Sequence, residues 1–148
     1  LDVVLFGDEA IPIDLDEVPY VEVGPFHTNT RAALQAARRI LRHRKHANKQ
    51  VILITDGKPS VITDRDGVPY RNTFGLDERI VNKTLDEAIA LRREKVPITT
   101  FMIASDPYLQ SFVKQLTERN RGRAYFAELG RLGSYVLVDF ERNRRRRL

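Results

Sequence analysis

The chain has no cysteine and no long apolar run. Without cysteine among its 148 residues, disulfides, thiolate metal sites and cysteine nucleophiles are excluded. No apolar run approaches the roughly 20 residues that a membrane-spanning helix needs. Charged residues make up 30% of the chain and hydrophobic residues 42%, which is typical of one globular domain of this length. The lack of cysteine fits a cytoplasmic setting, and we expect the protein to be cytoplasmic.

Positive charge exceeds negative charge, with a formal net charge of +5. The excess lies mainly in two segments, 38–46 and 142–147. One interpretation is a solvated helix end and a charged terminus. The other is an electrostatic footprint for RNA or for an acidic protein. No aromatic residues are interleaved with the basic ones, so the pattern does not favour a surface that stacks on bases.

Strands alternate with helices along the sequence, which predicts an α/β fold with a doubly wound (Rossmann-like), mostly parallel sheet and helices on both faces. The predicted elements are, in chain order, strands at 1–6 and 10–15, a connector with a short extended piece at 18–24, a helix at 30–46, a strand at 50–55, a long loop at 57–75, a helix at 77–95, a strand at 97–104, a helix from 107, a strand at 122–126 and a helix at 129–142. The side chains predicted to face the core from the first helix are Ala33, Leu34, Ala37, Ile40 and Leu41.

A short run of branched apolar residues, Val51 to Ile54, ends abruptly in Thr55, Asp56 and Gly57. Such a run predicts a strand buried on both faces of a parallel sheet. Asp56 then lies where the strand leaves the core, and Gly57 allows a sharp turn. Because ligands bind at the carboxyl ends of the strands in open α/β sheets, Asp56 is a candidate site residue.

Several polar residues beside predicted helices and turns also have a structural interpretation. Thr28 or Thr30 can cap the helix that follows them. Asp56 can accept backbone N–H groups within its turn. Asp106 precedes Pro107 and can cap the next helix, since proline is favoured in the first helical turn. Each of these roles stays open beside a role in a site.

Two segments resemble the von Willebrand factor A (vWA) domain. Residues 26–30 (FHTNT) and 54–57 (ITDG) are similar to the second and third segments of that family's metal-ion-dependent adhesion site, or MIDAS. The resemblance extends to about Asn143 and leaves a basic tail at 144–148. The first segment of the site, Asp-x-Ser-x-Ser after the first strand, is absent from this sequence. The family has that strand at the centre of its sheet, so we expect this chain to be a fragment or to receive the missing strand and helix from another chain.

The resemblance implies a Mg²⁺ site, which Mn²⁺ or Ca²⁺ could also fill. Thr28 would bind through its hydroxyl, and Asp56 would bind directly or through a water. One position would stay open for a carboxylate of a partner protein. Because Mg²⁺ takes about six oxygen ligands, two side chains predict weak or no binding by this chain alone. The polar residues expected at the same rim, as candidates for partner contact, are Thr30, Lys58, Ser60 and Asp106.

These features together predict a cation-dependent adaptor module that binds protein. The intracellular vWA proteins that the chain resembles often work beside AAA+ ATPases of the MoxR and magnesium-chelatase class, so the resemblance implies such a partner. The alternative is an RNA-associated protein, because some vWA domains, such as that of the Ro autoantigen, occur in ribonucleoproteins. An enzyme is not expected, since the sequence shows no convincing general base near the predicted site.

Overall fold

A computed structural model describes residues 1–22, 24 and 26–145. Helices and strands alternate in it much as the sequence predicts. The elements are, in chain order, β1 (Val3–Phe6), β2 (Ala10–Ile13), a 3₁₀ helix (Leu15–Tyr20), α1 (Thr30–His43), β3 (Val51–Thr55), β4 (Val61–Thr63), β5 (Pro69–Arg71), α2 (Glu78–Arg93), β6 (Ile98–Met102), α3 (Pro107–Asn120), β7 (Arg123–Phe126), a 3₁₀ turn (Leu129–Arg131) and α4 (Leu132–Arg145). None of the helices in the described ranges is long and apolar enough to cross a membrane.

The central element is a parallel sheet with the strand order β3–β6–β7. Val51 lies opposite Ile98 in the first strand pair, and Met102 lies opposite Phe126 in the second. Helices flank this sheet, and two antiparallel hairpins, β1–β2 and β4–β5, stand beside it. The predicted fold class, an α/β Rossmann-like architecture with a parallel sheet, is therefore confirmed.

Helices α2 and α3 form as their sequences predict. The Asp77 side chain accepts a hydrogen bond from the Ile80 N–H at the start of α2, and Asp106 caps α3 with Pro107 in its first turn. The apolar stripe of α3 packs against β6, β7 and α2, and that of α2 packs between α1 and α3, so helical periodicity and burial agree. The predicted inward residues that are buried are Val81, Leu85, Ala88, Leu91, Leu109, Phe112, Val113 and Leu116.

The corner between α3 and β7 depends on a buried amide. Asn120 is the last residue of α3 and is only 3% exposed. Its Oδ1 accepts from the Ile98 N–H at 2.7 Å, and its Nδ2 donates to the carbonyls of Ala88 and Val96 at 3.0 and 3.2 Å. One side chain thus joins α2, α3 and the first residue of β6.

A groove of about 700 Å³ separates the β1–β2 hairpin from the parallel sheet. Among the described strands, β1 pairs only with β2 and β3 only with β6, and both strands line this groove. Ile54 of β3 is therefore 41% exposed, and the prediction that β3 is buried on both faces is wrong for this chain. The other side chains that line the groove include Ala37, Ile40 and Leu41 of α1 and Val136 and Phe140 of α4.

The same groove explains the burial of α1. Ala33 and Leu34 are buried as predicted, whereas Ala37, Ile40 and Leu41 are only half-buried because they face the groove. The helix also ends earlier than predicted, at His43 rather than at residue 46.

Three further segments differ from the sequence prediction. A 3₁₀ helix runs over Leu15–Tyr20, so it takes the end of the strand predicted at 10–15 and the start of the connector predicted at 18–24. The long loop at 57–75 contains the hairpin β4–β5, whose Val61 and Ile62 are fully buried. Its strands have only three residues each, which is too short for a clear alternating pattern. At the C-terminus α4 runs over Leu132–Arg145, whereas the sequence predicts a helix at 129–142, and residues 146–148 of the predicted basic tail lie outside the described residues.

Candidate metal and partner-binding site

The turn after β3 is built by Thr55 and leaves Asp56 unengaged. The buried Thr55 hydroxyl donates to the Gly57 carbonyl at 2.9 Å and accepts from the Gly57 N–H at 3.3 Å. The Asp56 side chain is exposed and makes no hydrogen bond or ion pair with any residue of the described ranges. Thr55 therefore forms the turn rather than Asp56, and the Asp56 carboxylate faces solvent with no partner among the described residues.

Thr28 lies against this turn although it is distant in sequence. Its Oγ1 is 3.3 Å from the position that a Cβ atom on residue 57 would occupy. Glycine at position 57 therefore allows the hydroxyl to approach the backbone closely. The Thr28 N–H donates to the Ser60 Oγ and its carbonyl accepts from the Ser60 N–H, both at 3.0 Å. The structure thus brings the two segments that resemble the adhesion site to one place.

The start of α1 is capped by Asn29, so the prediction of a cap by Thr28 or Thr30 is wrong. The Asn29 Oδ1 accepts from the Ala32 N–H at 3.0 Å, and its Nδ2 donates to the Asp8 carbonyl at 2.9 Å. Its own N–H donates to the Gly7 carbonyl at 2.7 Å. An amide suits this position better than a hydroxyl, because its oxygen caps α1 while its NH₂ group donates to the β1–β2 hairpin.

Thr30 is the first residue of α1 and is 1% exposed. Its Oγ1 is buried and has no hydrogen-bond partner in the described part of the chain. The sequence predicts Thr30 as a candidate for partner contact, but its hydroxyl is buried in this structure and is not accessible to a partner.

The other predicted rim residues are largely engaged within the fold. The Lys58 Nζ donates to the Thr73 carbonyl at 2.9 Å. Ser60 is 8% exposed and faces Thr28 rather than solvent. Both carboxylate oxygens of Asp106 accept from backbone N–H groups of α3, at 3.1 and 3.3 Å, so Asp106 has the capping role that the sequence left open.

A charged group beside the site was not singled out from the sequence. The Asp8 Oδ1 lies 3.1 Å from the His27 Nδ1 and 3.4 Å from the Arg71 Nε. Burial disfavours ionisation of Asp8, but the hydrogen bonds from the His27 backbone and the Arg71 side chain outweigh it and hold the pKa of the carboxyl below its ordinary value. Asp8 stands directly after a glycine at the end of β1, which is the signal that could have indicated it.

The available donors are hard oxygens, which suit Mg²⁺, Mn²⁺ or Ca²⁺. Thr28 supplies a hydroxyl, and Asp56 supplies a carboxylate that no cationic side chain of the described residues neutralises. Within the described ranges there is no group of three or more His, Cys, Asp and Glu side chains that could hold a metal. The two residues therefore fit part of an octahedral shell, and the remaining ligands would be waters or groups from elsewhere.

The basic segment at the end of α1 is largely paired within the fold. Arg38 contacts Glu94 and Glu87 at 2.7 and 3.2 Å, and Arg42 contacts Glu94 at 2.6 Å. The hydrogen bonds from Arg42 and Arg38 hold the pKa of Glu94 below its ordinary value despite partial burial. Arg44 pairs with Asp2. Three of the five Arg and Lys side chains between residues 38 and 46 thus pair with carboxylates of the same chain.

The parallel sheet and the adjoining Thr28 and Asp56 segments define a vWA-type domain. A family model described as "Rv0959-like protein, vWA domain" matches residues 1–141, and the chain belongs to this family. The resemblance predicted from the sequence is therefore confirmed.

Known proteins give two further comparisons. The chain is 33% identical over 122 residues to the uncharacterized proteins Rv0959 of Mycobacterium tuberculosis and Mb0984 of Mycobacterium bovis. The match covers 80% of this chain but only 18% of each relative, so the chain spans about a fifth of the length of these curated proteins. The crystal structure of the conserved hypothetical protein BatB from Bacteroides thetaiotaomicron is similar with a TM-score of 0.64 at 10% identity. That likeness covers 97% of this chain and 78% of BatB, and it shows the shared fold alone.

Proposed function

We propose that this domain is a protein-binding module whose binding surface includes a divalent cation. The observation that carries the proposal is the exposed carboxylate of Asp56, which no described residue engages, at the turn where the Thr28 hydroxyl also lies. A structural role would have engaged that carboxylate with a backbone group or a cation, as the fold does for Asp106 and for Asp8. Binding of partner proteins is also the general role of vWA domains.

The residues of this chain would act by holding and orienting the ion. The Asp56 carboxylate supplies the negative charge and the Thr28 hydroxyl supplies a neutral oxygen, so the ion keeps a net positive charge. When bound, the ion would offer a coordination position to a carboxylate of the partner protein. The backbone of Thr28 is fixed by Ser60, and the turn at Asp56 is fixed by Thr55, so neither ligand segment needs to order when the ion binds.

Two side chains make a weak site. We expect an apparent dissociation constant on the order of 10⁻³ M or weaker for Mn²⁺, at the weak end of oxygen-ligand sites. Tighter binding would need further oxygen ligands, such as the Asp-x-Ser-x-Ser segment that the family has. By analogy with the family, an AAA+ ATPase of the MoxR class is the partner we propose for a complete site.

The test is paramagnetic broadening by Mn²⁺ in the ¹H–¹⁵N NMR spectrum of the 148-residue chain. We expect the amides of Thr28, Asp56 and Gly57 to broaden first, at millimolar Mn²⁺ concentrations. Asp56→Asn keeps the shape of the side chain and removes its charge, so the local broadening should disappear. Asp66→Asn is the matched control, since Asp66 also precedes a glycine in an exposed turn, where its carboxylate accepts from the Val68 N–H.

The outcome of this titration is decisive for the cation. Broadening that is equal in the two variants, or that centres away from Thr28 and Asp56, would contradict the proposal. We do not propose RNA binding, because Arg38, Arg42 and Arg44 already pair with acidic side chains. We propose binding rather than catalysis, since an exposed carboxylate such as Asp56 can serve as a ligand to an ion.

A further inference from the structure

We infer that Ser60 is the positioning residue for Thr28, and that the hairpin β4–β5 holds Ser60 in place. The inference deepens the proposed function, on which its metal readout rests. It also gives Ser60 a different role from the partner contact that its place in the sequence indicates.

The first observation is a reciprocal pair of hydrogen bonds. Thr28 lies in an irregular segment before α1, where no strand or helix of its own fixes the backbone. Its N–H donates to the Ser60 Oγ and its carbonyl accepts from the Ser60 N–H, each at 3.0 Å. One residue therefore engages both backbone polar groups of Thr28. Such a pair fixes the orientation of the peptide and hence the direction of the Thr28 side chain.

The second observation is that Ser60 is itself held on both sides. Its carbonyl accepts from the Asn72 N–H at 2.9 Å, which closes the base of the hairpin. Val61 and Ile62 follow it directly and are fully buried. The hydroxyl that Thr28 uses therefore belongs to a residue that cannot move without opening the hairpin.

The third observation concerns the far end of the hairpin. The Asp64 carboxylate contacts Lys83 at 2.6 Å, Arg79 at 2.9 Å and Arg31 at 2.8 Å. The hydrogen bonds from Lys83, Arg79 and Arg31 hold the pKa of Asp64 far below its ordinary value. Arg31 belongs to the first turn of α1, and the other two cations belong to α2. The hairpin is thus tied to both helices, and Arg31 is only three positions from Thr28.

The position of Thr28 matters because its side chain lies beside the turn that carries Asp56. The Thr28 Oγ1 lies 3.3 Å from the site that a Cβ on residue 57 would occupy, so a shift of Thr28 moves the hydroxyl relative to that turn. Residues that orient metal ligands typically change metal affinity by about 10- to 100-fold when they are replaced. Ser60 belongs to this class if Thr28 is a ligand.

The experiment compares the 148-residue chain with Ser60→Ala and with Ser111→Ala. Ser111 is an exposed serine of α3 and controls for loss of a hydroxyl. The first readout needs no metal: the three-bond couplings of Thr28 report its χ1 rotamer. We expect one rotamer in the parent chain and in Ser111→Ala, and averaged couplings in Ser60→Ala. A merely structural role of Ser60 would lower the melting temperature and leave the Thr28 rotamer unchanged.

The second readout is the Mn²⁺ broadening at Thr28 and Asp56. We expect the affinity to fall about 10-fold or more in Ser60→Ala and to stay unchanged in Ser111→Ala. If the parent chain shows no broadening at these residues, the proposed cation fails, and the rotamer comparison still decides the role of Ser60. Unchanged couplings and unchanged affinity in Ser60→Ala would overturn the inference.

A third measurement uses only the parent chain, in case Ser60→Ala does not fold. The amides of Thr28 and Ser60 bond to each other's residue, so both should exchange with solvent as slowly as the buried hairpin amide of Ile62. Exchange of the Thr28 amide at the rate of an open loop would overturn the inference without any substitution.

Discussion

Replacement of Asn120 by alanine is expected to cost a large part of the stability of this domain. The substitution removes an acceptor from the Ile98 N–H and a donor from two carbonyls, all in the interior. A buried N–H left without a partner costs about 1–3 kcal/mol, and the two lost amide–carbonyl bonds contribute about 0.5–1.5 kcal/mol each. We therefore expect the free energy of unfolding to fall by about 2–6 kcal/mol, out of the roughly 5–15 kcal/mol typical of a domain.

The assay is urea denaturation of the variant and the parent chain at 25 °C. The midpoint should fall while the denaturant slope stays constant, because the surface exposed on unfolding is nearly the same. Asn82→Ala is the matched control, since Asn82 is exposed in α2, and its effect should be within about 0.5 kcal/mol.

A loss below about 1 kcal/mol in Asn120→Ala, with an unchanged slope, would refute this reasoning. That result would mean that water or a shifted backbone bonds to the Ile98 N–H and to the carbonyls of Ala88 and Val96 in the variant. The corner between α3 and β7 would then form without the Asn120 side chain.

The remaining predictions concern three other points of the fold. Gly122→Ala places a Cβ 1.9 Å from a backbone oxygen of β6 and should destabilise strongly in the same assay, whereas Gly133→Ala meets nothing within 4 Å and should be neutral or stabilise by up to about 1 kcal/mol. Asp64 has a lowered pKa, so its stabilisation is present above the unfolded pKa of about 3.9 and is lost as pH falls toward the folded value. Unfolding titrations at about pH 5 and pH 2.5 should therefore show a smaller acid loss in Asp64→Asn than in the parent chain, and an equal loss would contradict the assignment. Asp139 is 2% exposed and pairs with Arg123 at 3.1 Å, so Asp139→Ala should lower the free energy of unfolding by about 3 kcal/mol, and a melting temperature within 2 °C of the parent would contradict this.

The candidate site shows how far local sequence can lead. Asp56 was found because a buried apolar strand that ends in Asp-Gly predicts a carboxylate at the sheet rim, and the structure leaves that carboxylate exposed. Thr28 was found through resemblance, and the structure places its hydroxyl against Gly57. The contact of Ser60 with Thr28 could not be predicted from the sequence, because these hydrogen bonds join residues 32 positions apart.

The elements of the fold likewise differ in whether local signals predict them. Local signals were sufficient for α2 and α3, whose caps and apolar stripes lie within one helix each. They failed for the hairpin β4–β5, whose three-residue strands owe their form to the burial of Val61 and Ile62 beneath neighbouring helices. They also failed at the start of α1, where Asn29 rather than Thr28 or Thr30 caps the helix. The Asn29 amide also donates to the β1–β2 hairpin, which a local pattern does not show.

The sequence by itself determined the order of α1 to α4 and of the strands apart from β4 and β5, the fold class and the position of Asp56 at a strand end. These depend on periodicity, capping and turn residues, which act over a few positions along the chain. Only the tertiary structure decided which surfaces remain open and which polar groups find partners. The half-exposed Ile54, the groove beside β3 and the engagement of Lys58, Ser60 and Asp106 all depend on contacts between distant elements. Such contacts arise only when the elements pack together, so no local pattern encodes them.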